Sequence, residues 1–229
     1  MKRILITGAC GSIGKALVLR LLEEGNKVCA FDNNEDGLFH LSKECYSYSL
    51  NLKIFVGDIR DVERLDQAMN EVEEVYHCAA LKHVELSEYN PFEALKTNVN
   101  GTNNVINAAI NKGVKKVLVT SSDKAVNPSS TMGTTKLLAE KLTISANNYS
   151  GSKDIKFGCV RFGNVWNTNG SVGPIFKNQI LLGKDITVTD LAMTRFFTSK
   201  EDAVSLCINA CNALIGGEIF ISDMGATSI

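Results

Sequence analysis

The sequence predicts an α/β protein centred on a doubly wound, parallel β-sheet with helices on both faces. Three observations carry that expectation. Short apolar runs alternate strictly with segments of helical period through most of the chain. The runs are near-continuously apolar, as strands buried on both faces must be. A glycine-rich turn, "TGACGSIG", joins the first run to the first helical segment. In such a sheet the ligand crevice lies beyond the carboxyl ends of the strands.

The elements follow in order. "KRILIT" is the first strand. "SIGKALVLRLLEEG" places Ile13, Leu17, Val18, Leu21 and Leu22 at helical spacing, and Gly25 stops it. "KVCAFD" and "EDGLFHLSKECY" are the next strand and helix, and "KIFVGD" and "VERLDQAMNEV" the third pair. "EVYHCAA" is a fourth strand, and one long helix follows Pro91 in "PFEALKTNVNGTNNVINAAINKG". "KKVLVTSS" is the fifth strand, "TTKLLAEKLTISANN" the fifth helix and "KFGCVRFGNV" the sixth strand. After about Trp166 the rhythm changes: "TNGSVGPIF" reads as loop, "DITVTD" as a short strand, "KEDAVSLCINACNAL" as a helix and "GEIFISD" as a strand. The expected organisation is a nucleotide-binding domain over 1–165, joined by later strands from about 186–225, and a partial substrate lobe over 166–229. The chain stops at "MGATSI", soon after a strand, so the small, partly interleaved lobe is expected to be truncated.

Composition narrows the function. The 229 residues are 45% hydrophobic and 21% charged, enough apolar content for one sizeable core. The net charge of −1 provides no field toward nucleic acid or an anionic membrane surface. Charge or glycine interrupts every apolar run before it reaches membrane-spanning length. The start "MKRILITGAC" has too short an apolar part for a signal sequence and runs into the glycine motif. A cytoplasmic protein is expected. Seven cysteines are scattered without a C-x-x-C pair, which argues against a disulfide framework or a zinc site. Cys207 and Cys211 share a helix face and read as small buried residues. The three histidines show no ligand spacing, so no metal is expected.

The glycine turn points to a dinucleotide. Gly8, Gly11 and Gly14 let the backbone turn tightly and approach a pyrophosphate, and the helix opening at Ser12 and Ile13 offers free N–H groups and a positive dipole end. The motif follows a strand and opens a helix, the context that gives it weight. Asp32, with Asn33 beside it, ends the second strand. A carboxylate there accepts hydrogen bonds from an adenosine ribose and repels a 2′-phosphate, which favours NAD over NADP. Asp58 and Ile59, at the end of the third strand, are placed to flank the adenine. Asp58 or Asp61 also reads as a helix N-cap.

The G-x-x-G-x-x-G turn, "GDIRD", "HCAA" with Ala79 and Ala80, and the lysine at Lys136 resemble extended short-chain dehydrogenases/reductases, NAD-binding Rossmann proteins. "AALKHVELSEYNPFEALKTNVNGTNNVINAA", "SSDKAVNP", "RFGNV" and "ITVTDLAMTRFF" are more specific. They look like the polysaccharide-biosynthesis branch, which contains UDP-N-acetylglucosamine 4,6-dehydratases and capsule proteins. The resemblance covers nearly the whole chain. Many members carry Tyr in the slot of Met132. A subgroup, usually long and membrane-tethered, carries Met there and an acidic residue at the position of Asp32. The present sequence is similar to that subgroup without its membrane segments.

Met132 raises a chemical question, because a thioether neither takes nor gives a proton at any useful pH. The resemblance implies a reaction that oxidises C4 of a sugar, removes the C5 proton, expels the C6 hydroxyl and returns hydride to C6. Asp123 is expected to be the acid and Lys124 the base. Adjacent residues point to opposite faces of a regular strand. The two share a site only if the backbone has already turned, as "KAVNPSS" suggests. Ser122, with water or Asp123, is expected to handle the C4 proton. The resemblance implies that Lys136 binds the nicotinamide ribose, that Asn98 supports the loop carrying Ser122 and lies at the cofactor, and that Asn164 and Arg195 hold the UDP-sugar. Lys82 and His83 follow the fourth strand and are expected to face the crevice. Arg161 has no evident role. The leading expectation is a UDP-sugar 4,6-dehydratase. A nucleotide-sugar 4-epimerase needs no acid at C6, and an NAD-binding module without catalysis would need none of these groups. Apolar stripes in "NNVINAAI" and "KLLAEKLTI" predict a homo-oligomer.

Overall fold

The computed structural model describes residues 1–151, 153–168, 172–188, 190 and 192–228. The first half alternates β1 (Arg3–Thr7), α1 (Ser12–Glu23), β2 (Lys27–Asp32), α2 (Glu35–Glu44), β3 (Leu52–Val56), α3 (Val62–Ala68) and β4 (Glu74–His77). The second continues through α4 (Val84–Tyr89), α5 (Pro91–Ala94), a π-helical segment (Leu95–Gly101), α6 (Thr102–Lys112), β5 (Lys116–Ser122), α7 (Thr131–Tyr149) and β6 (Lys156–Phe162). Then come β7 (Asn164–Val165), α8 (Val172–Leu181), β8 (Thr194–Thr198), α9 (Lys200–Ala213), β9 (Ile219–Ile221) and β10 (Ala226–Ser228).

The strand order is β3-β2-β1-β4-β5-β6-β9, and all its pairings are parallel. The order reverses between β1 and β4, so the crevice opens there. Side chains alternate across the sheet and build two cores. One face packs Leu5, Phe31, Val75, Val117 and Phe157 against Leu65, Val105, Ile106 and Ala109. The other packs Ile4, Ile6, Ala30, Tyr76 and Leu118 against Leu17, Leu21, Leu38, Cys207 and Cys211. The two cysteines are thus small core residues. Among the described residues no helix is long and apolar enough to cross a membrane, and no His/Cys/Asp/Glu group could hold a metal ion.

Several elements depart from the sequence expectations. The helix after Pro91 is interrupted by a π turn, within which Asn98 O accepts from Thr102 Oγ1 (2.6 Å). The third helix ends at Ala68, short of Val72, and Glu71 takes a positive φ of 61°. Helix α4 was not anticipated. Only Ser87 in it is buried, so it carries no apolar stripe to read. "TNGSVGPIF" turns helical from Val172. Pro174 lies in the first turn, where its missing N–H is harmless. Asn169 to Ser171 lie outside the described residues, as does Thr189. Residues 185–188 carry no strand. The strand here is β8, "TRFFT", rich in aromatic and β-branched residues. It forms a separate three-stranded sheet, parallel to β7 and antiparallel to β10, while β9 joins the main sheet. The stripe in "NNVINAAI" is not available for self-association, because Val105, Ile106, Ala108 and Ala109 are buried in the chain's own core. Leu138 and Phe92 remain exposed.

A bidentate ion pair joins α7 to β6. Arg161 Nε and Nη2 donate to Glu140 Oε1 (2.8 Å) and Oε2 (2.5 Å), and the Glu140 side chain is 2% exposed. The pair accounts for Arg161, which had no role from sequence. Removing one partner of a buried pair strands the other charge. Arg161→Met should therefore lower the unfolding free energy by about 3–5 kcal/mol in urea denaturation. A loss below about 1 kcal/mol would place the pair with surface salt bridges.

Candidate active site at the strand ends

A crevice of about 1020 Å³ runs along the carboxyl ends of the strands. Its first wall is the turn between β1 and α1. Gly8 has φ +70°, and a Cβ there would meet Ala79 N at 2.6 Å, so only glycine lets the turn lie against the end of β4. Helices α2, α3, α7 and α9 are capped by the side chains of Asn34, Asp61, Ser130 and Ser199. Helix α1 has Gly11 at its N-cap, no side-chain cap and no acidic residue in its first turn. Ser12, Ile13 and Gly14 of its first turn line the crevice, and a helix N-terminus so placed favours an anion.

Asp32 ends β2 on the same wall. Its Oδ2 accepts from Cys10 N and its Oδ1 from Asn34 N, both at 2.9 Å. The carboxylate thus fixes the glycine turn and the start of α2, and each oxygen keeps lone-pair capacity for a ribose hydroxyl. Asn33, Asp58 and Ile59 line the crevice beyond it. Hydrogen bonds from Arg60 hold the Asp58 carboxyl below its ordinary pKa, and Asn33 contributes. Asp61, not Asp58, is the N-cap of α3, accepting from Arg64 N (3.0 Å).

The end of β4 carries a buried polar chain. His77 Nδ1 lies 2.6 Å from Thr7 Oγ1 and Nε2 lies 3.1 Å from Thr102 Oγ1. The Thr102 hydroxyl donates to Asn98 O, so it accepts from His77 Nε2–H, and Nδ1 accepts from Thr7. Burial, then the nearby Lys136 charge, pushes the imidazole down to about 3, so it stays neutral. Ala79, Ala80, Lys82 and His83 line the crevice above it. Desolvation lowers the Lys82 pKa.

Asn98 corrects an expectation. It is 2% exposed and does not line the crevice. Its amide spans Leu81 N (2.8 Å), Leu81 O (3.0 Å) and Thr135 Oγ1 (3.0 Å). The loop it supports is therefore the one after β4, tied to α7, not the one carrying Ser122. The π turn carries the side chain under that loop, a displacement no helical wheel anticipates.

The backbone turns at the end of β5. Asp123–Ala125 form a 3₁₀ turn capped by Ser122, whose hydroxyl accepts from Lys124 N (3.3 Å). The turn brings the neighbouring side chains together. Asp123 Oδ1 accepts from both Ser122 Oγ (2.8 Å) and Lys124 Nζ (3.1 Å). Lys124 Nζ also donates to Asn164 Oδ1 (3.2 Å) at the start of the small sheet. Ser122, Lys124 and Asn164 line the crevice. A Cβ at Gly133 would meet Lys124 O at 2.3 Å, so glycine allows α7 to approach this turn.

Helix α7 presents Met132 and Lys136 to the crevice. Met132 is buried and its carbonyl accepts from Thr135 Oγ1 (2.8 Å). Lys136 Nζ donates to Thr120 O (2.7 Å), and desolvation lowers its pKa. Thr120 supplies a backbone atom that no side-chain motif reveals. Burial pushes the Cys10 and Cys78 thiols up to about 12, so neither crevice cysteine is a ready nucleophile. Arg195 is a second correction. Strand β8 pairs Phe197 with Asn164 and Arg195 with Thr227, so Phe197 takes the crevice position. The Arg195 guanidinium folds back to Thr194 O (2.8 Å).

Residues 4–229 match the family model described as polysaccharide biosynthesis protein. The chain is 51% identical to an uncharacterised membrane protein of Methanocaldococcus jannaschii, covering all of this chain and 68% of that one. It is 44% identical to the inverting UDP-N-acetylglucosamine 4,6-dehydratase of Campylobacter jejuni, covering all of this chain and 69% of that one. It is 41% identical to a UDP-glucose 4-epimerase of Rickettsia rickettsii, again across this whole chain and 68% of the relative. Among solved structures, Pen from Bacillus thuringiensis superimposes with a TM-score of 0.97 at 46% identity, over 99% of this chain and 72% of that one. MoeE5 in complex with UDP-glucose and NAD gives 0.83 at 26%, over 99% and 78%. The glycine turn, the doubly wound sheet and the matched length agree: the chain belongs to the polysaccharide biosynthesis protein family, on the Rossmann fold of the short-chain dehydrogenases/reductases.

Proposed function

We propose that the chain is an NAD-dependent nucleotide-sugar 4,6-dehydratase, a lyase acting on UDP-N-acetylglucosamine or a similar UDP-sugar in surface polysaccharide or glycan biosynthesis. The observation that carries this reading is the turn after β5, where Ser122 and Lys124 line the crevice and both donate to Asp123 Oδ1, a carboxylate set just behind the crevice lining rather than in it. The family and the relatives support an enzyme of nucleotide-sugar chemistry. The crevice fits a dinucleotide. Gly11, Ser12 and Ile13 would hold the pyrophosphate, Asp32 the adenosine ribose, Asp58 and Ile59 the adenine, and Lys136 the nicotinamide ribose. Bound NAD would supply the acceptor for C4 oxidation and the reductant for C6.

The chain's own groups handle the protons. The C4 hydroxyl proton passes to Ser122 as the Ser122 proton passes to the Asp123 carboxylate, along their 2.8 Å contact. Asp123, now a carboxylic acid, gives that proton to the departing C6 oxygen, which leaves as water. Lys124, as an amine, takes the C5 proton, made acidic by the C4 ketone, and the C5–H electron pair forms the C5–C6 double bond. The Lys124 ammonium later returns a proton to C5. The cycle closes with carboxylate and amine restored and one water lost from the sugar. Met132 takes no part in proton transfer and packs the site. Lys82 and His83, which line the crevice, would meet the diphosphate. Leu138 and Phe92 offer apolar surface for a homo-oligomer.

A 4-epimerase is the second reading, favoured by the Rickettsia relative. Asp123 and Lys124 separate the two, because epimerisation has no leaving group at C6. Asp123→Asn should lower the rate of water loss by about a hundred- to ten-thousand-fold. Lys124→Met should stop deuterium uptake at C5 while NAD still binds. Met132→Ala should keep most turnover. Near-normal turnover in both of the first two variants would make the pair structural.

Cofactor choice rests on Asp32. Titration should give tighter binding of NAD than of NADP, because the carboxylate faces the site of a 2′-phosphate. Equal or tighter NADP binding would contradict that placement.

A further inference from the structure

The contact between Lys124 and Asn164 gives Asn164 a different task from holding the sugar. Its Oδ1 accepts from Lys124 Nζ at 3.2 Å, and Asp123 Oδ1 accepts from the same nitrogen at 3.1 Å. The Lys124 ammonium has a tetrahedral nitrogen carrying Cε and three N–H donors. Two acceptors fix two of the N–H directions, and the third, which becomes the lone pair when its proton leaves, is confined to the one remaining direction. Lys124 lines the crevice and its side chain is 36% exposed, so it retains an open side toward a ligand. With either acceptor missing, the amine rotates about its Cε–Nζ bond and the lone pair sweeps a cone.

We propose that Asn164 is a positioning residue that aims the Lys124 lone pair at the C5 proton. The inference rests on the reading of Lys124 as the C5 base. The backbone supports it. Asn164 is fixed by β7, whose register pairs it with Phe197, and both residues line the crevice. The acceptor is therefore held by the small sheet, whereas Asp123 and the lysine stem sit in the 3₁₀ turn that directly follows β5 of the main one. The base is aimed only while the two sheets keep their spacing at the crevice. Asn164 thereby couples the placement of the small sheet to the chemistry at the end of β5.

A role in sugar binding and a role in aiming the base make opposite kinetic demands. Asn164→Leu keeps the size and removes the acceptor. It should lower water loss and C5 deuterium uptake by about a hundredfold, the order expected for a misplaced reacting group. Formation of reduced cofactor from UDP-N-acetylglucosamine and the calorimetric Kd for that sugar nucleotide should stay unchanged. Asn164→Asp restores an acceptor oxygen and should recover much of the rate. A weakened Kd with unchanged kcat would overturn the proposal in favour of sugar binding, and wild-type behaviour of Asn164→Leu would overturn it outright. A second readout needs no turnover. In ¹⁵N-lysine spectra the Lys124 Nζ protons should exchange slowly with solvent in the wild type and Asn164→Asp, and fast in Asn164→Leu. Equal exchange in all three would also overturn it. Absence of turnover in the wild type, with the exchange pattern intact, would count against the proposed reaction and leave the Asn164–Lys124 contact supported.

Discussion

The hydrogen-bonded chain Thr7–His77–Thr102–Asn98 sits where the strand order reverses, and the crevice is built on it. Thr7 is the last residue of β1, directly before Gly8, and His77 the last of β4. Thr102 and Asn98 belong to the helix behind them, and the Asn98 amide passes the connection to Leu81 and Thr135. One neutral imidazole thus joins the glycine turn, the loop after β4 and the helix presenting Met132 and Lys136. A charged imidazole would have a proton on Nδ1 and could not accept from Thr7. Burial and the Lys136 charge exclude that state, which fixes both tautomer and direction along the chain. A fully satisfied buried network of this kind specifies one arrangement, because each alternative leaves a buried polar atom unpaired.

Charge is distributed on the same principle. Arg161 is close in sequence to the crevice but is held by Glu140, so it offers no free guanidinium to a diphosphate. Lys136 is anchored to Thr120 O and so is held in one place beside the crevice. Lys124 is held between Asp123 and Asn164. The groups with chemistry to perform are therefore fixed before a ligand arrives, which is how a site lowers a barrier without reorganising. Under the proposed reaction methionine is tolerated at position 132, because Ser122, Asp123 and Lys124 would supply every proton transfer that elimination requires.

What the sequence made legible follows from what is local. Strands buried on both faces are apolar throughout, so the order of strands to β6 could be read directly. The glycine turn and the cluster 122–124, with Met132 and Lys136, lie in short stretches whose backbone course the residues themselves announce. The failures have a common cause. Asn98 was assigned to the wrong loop because its partners, Leu81 and Thr135, are set by a π turn and by helix packing. Arg195 was placed in the crevice although the register of β8 gives that position to Phe197. The apolar stripe of α6 suggested a partner chain, but α3 and the sheet already bury it. Helix α4 carries almost no buried face to betray it. Thr120 acts through a carbonyl, which composition cannot display.

The proposed reaction assigns an elimination to the turn after β5. The most direct measurement is the mass of the product formed from UDP-N-acetylglucosamine by the wild-type protein with NAD. Loss of one water, about 18 Da, is the result predicted for an acid at C6 and a base at C5. A product of unchanged mass with inverted C4 would contradict it and make the chain an epimerase.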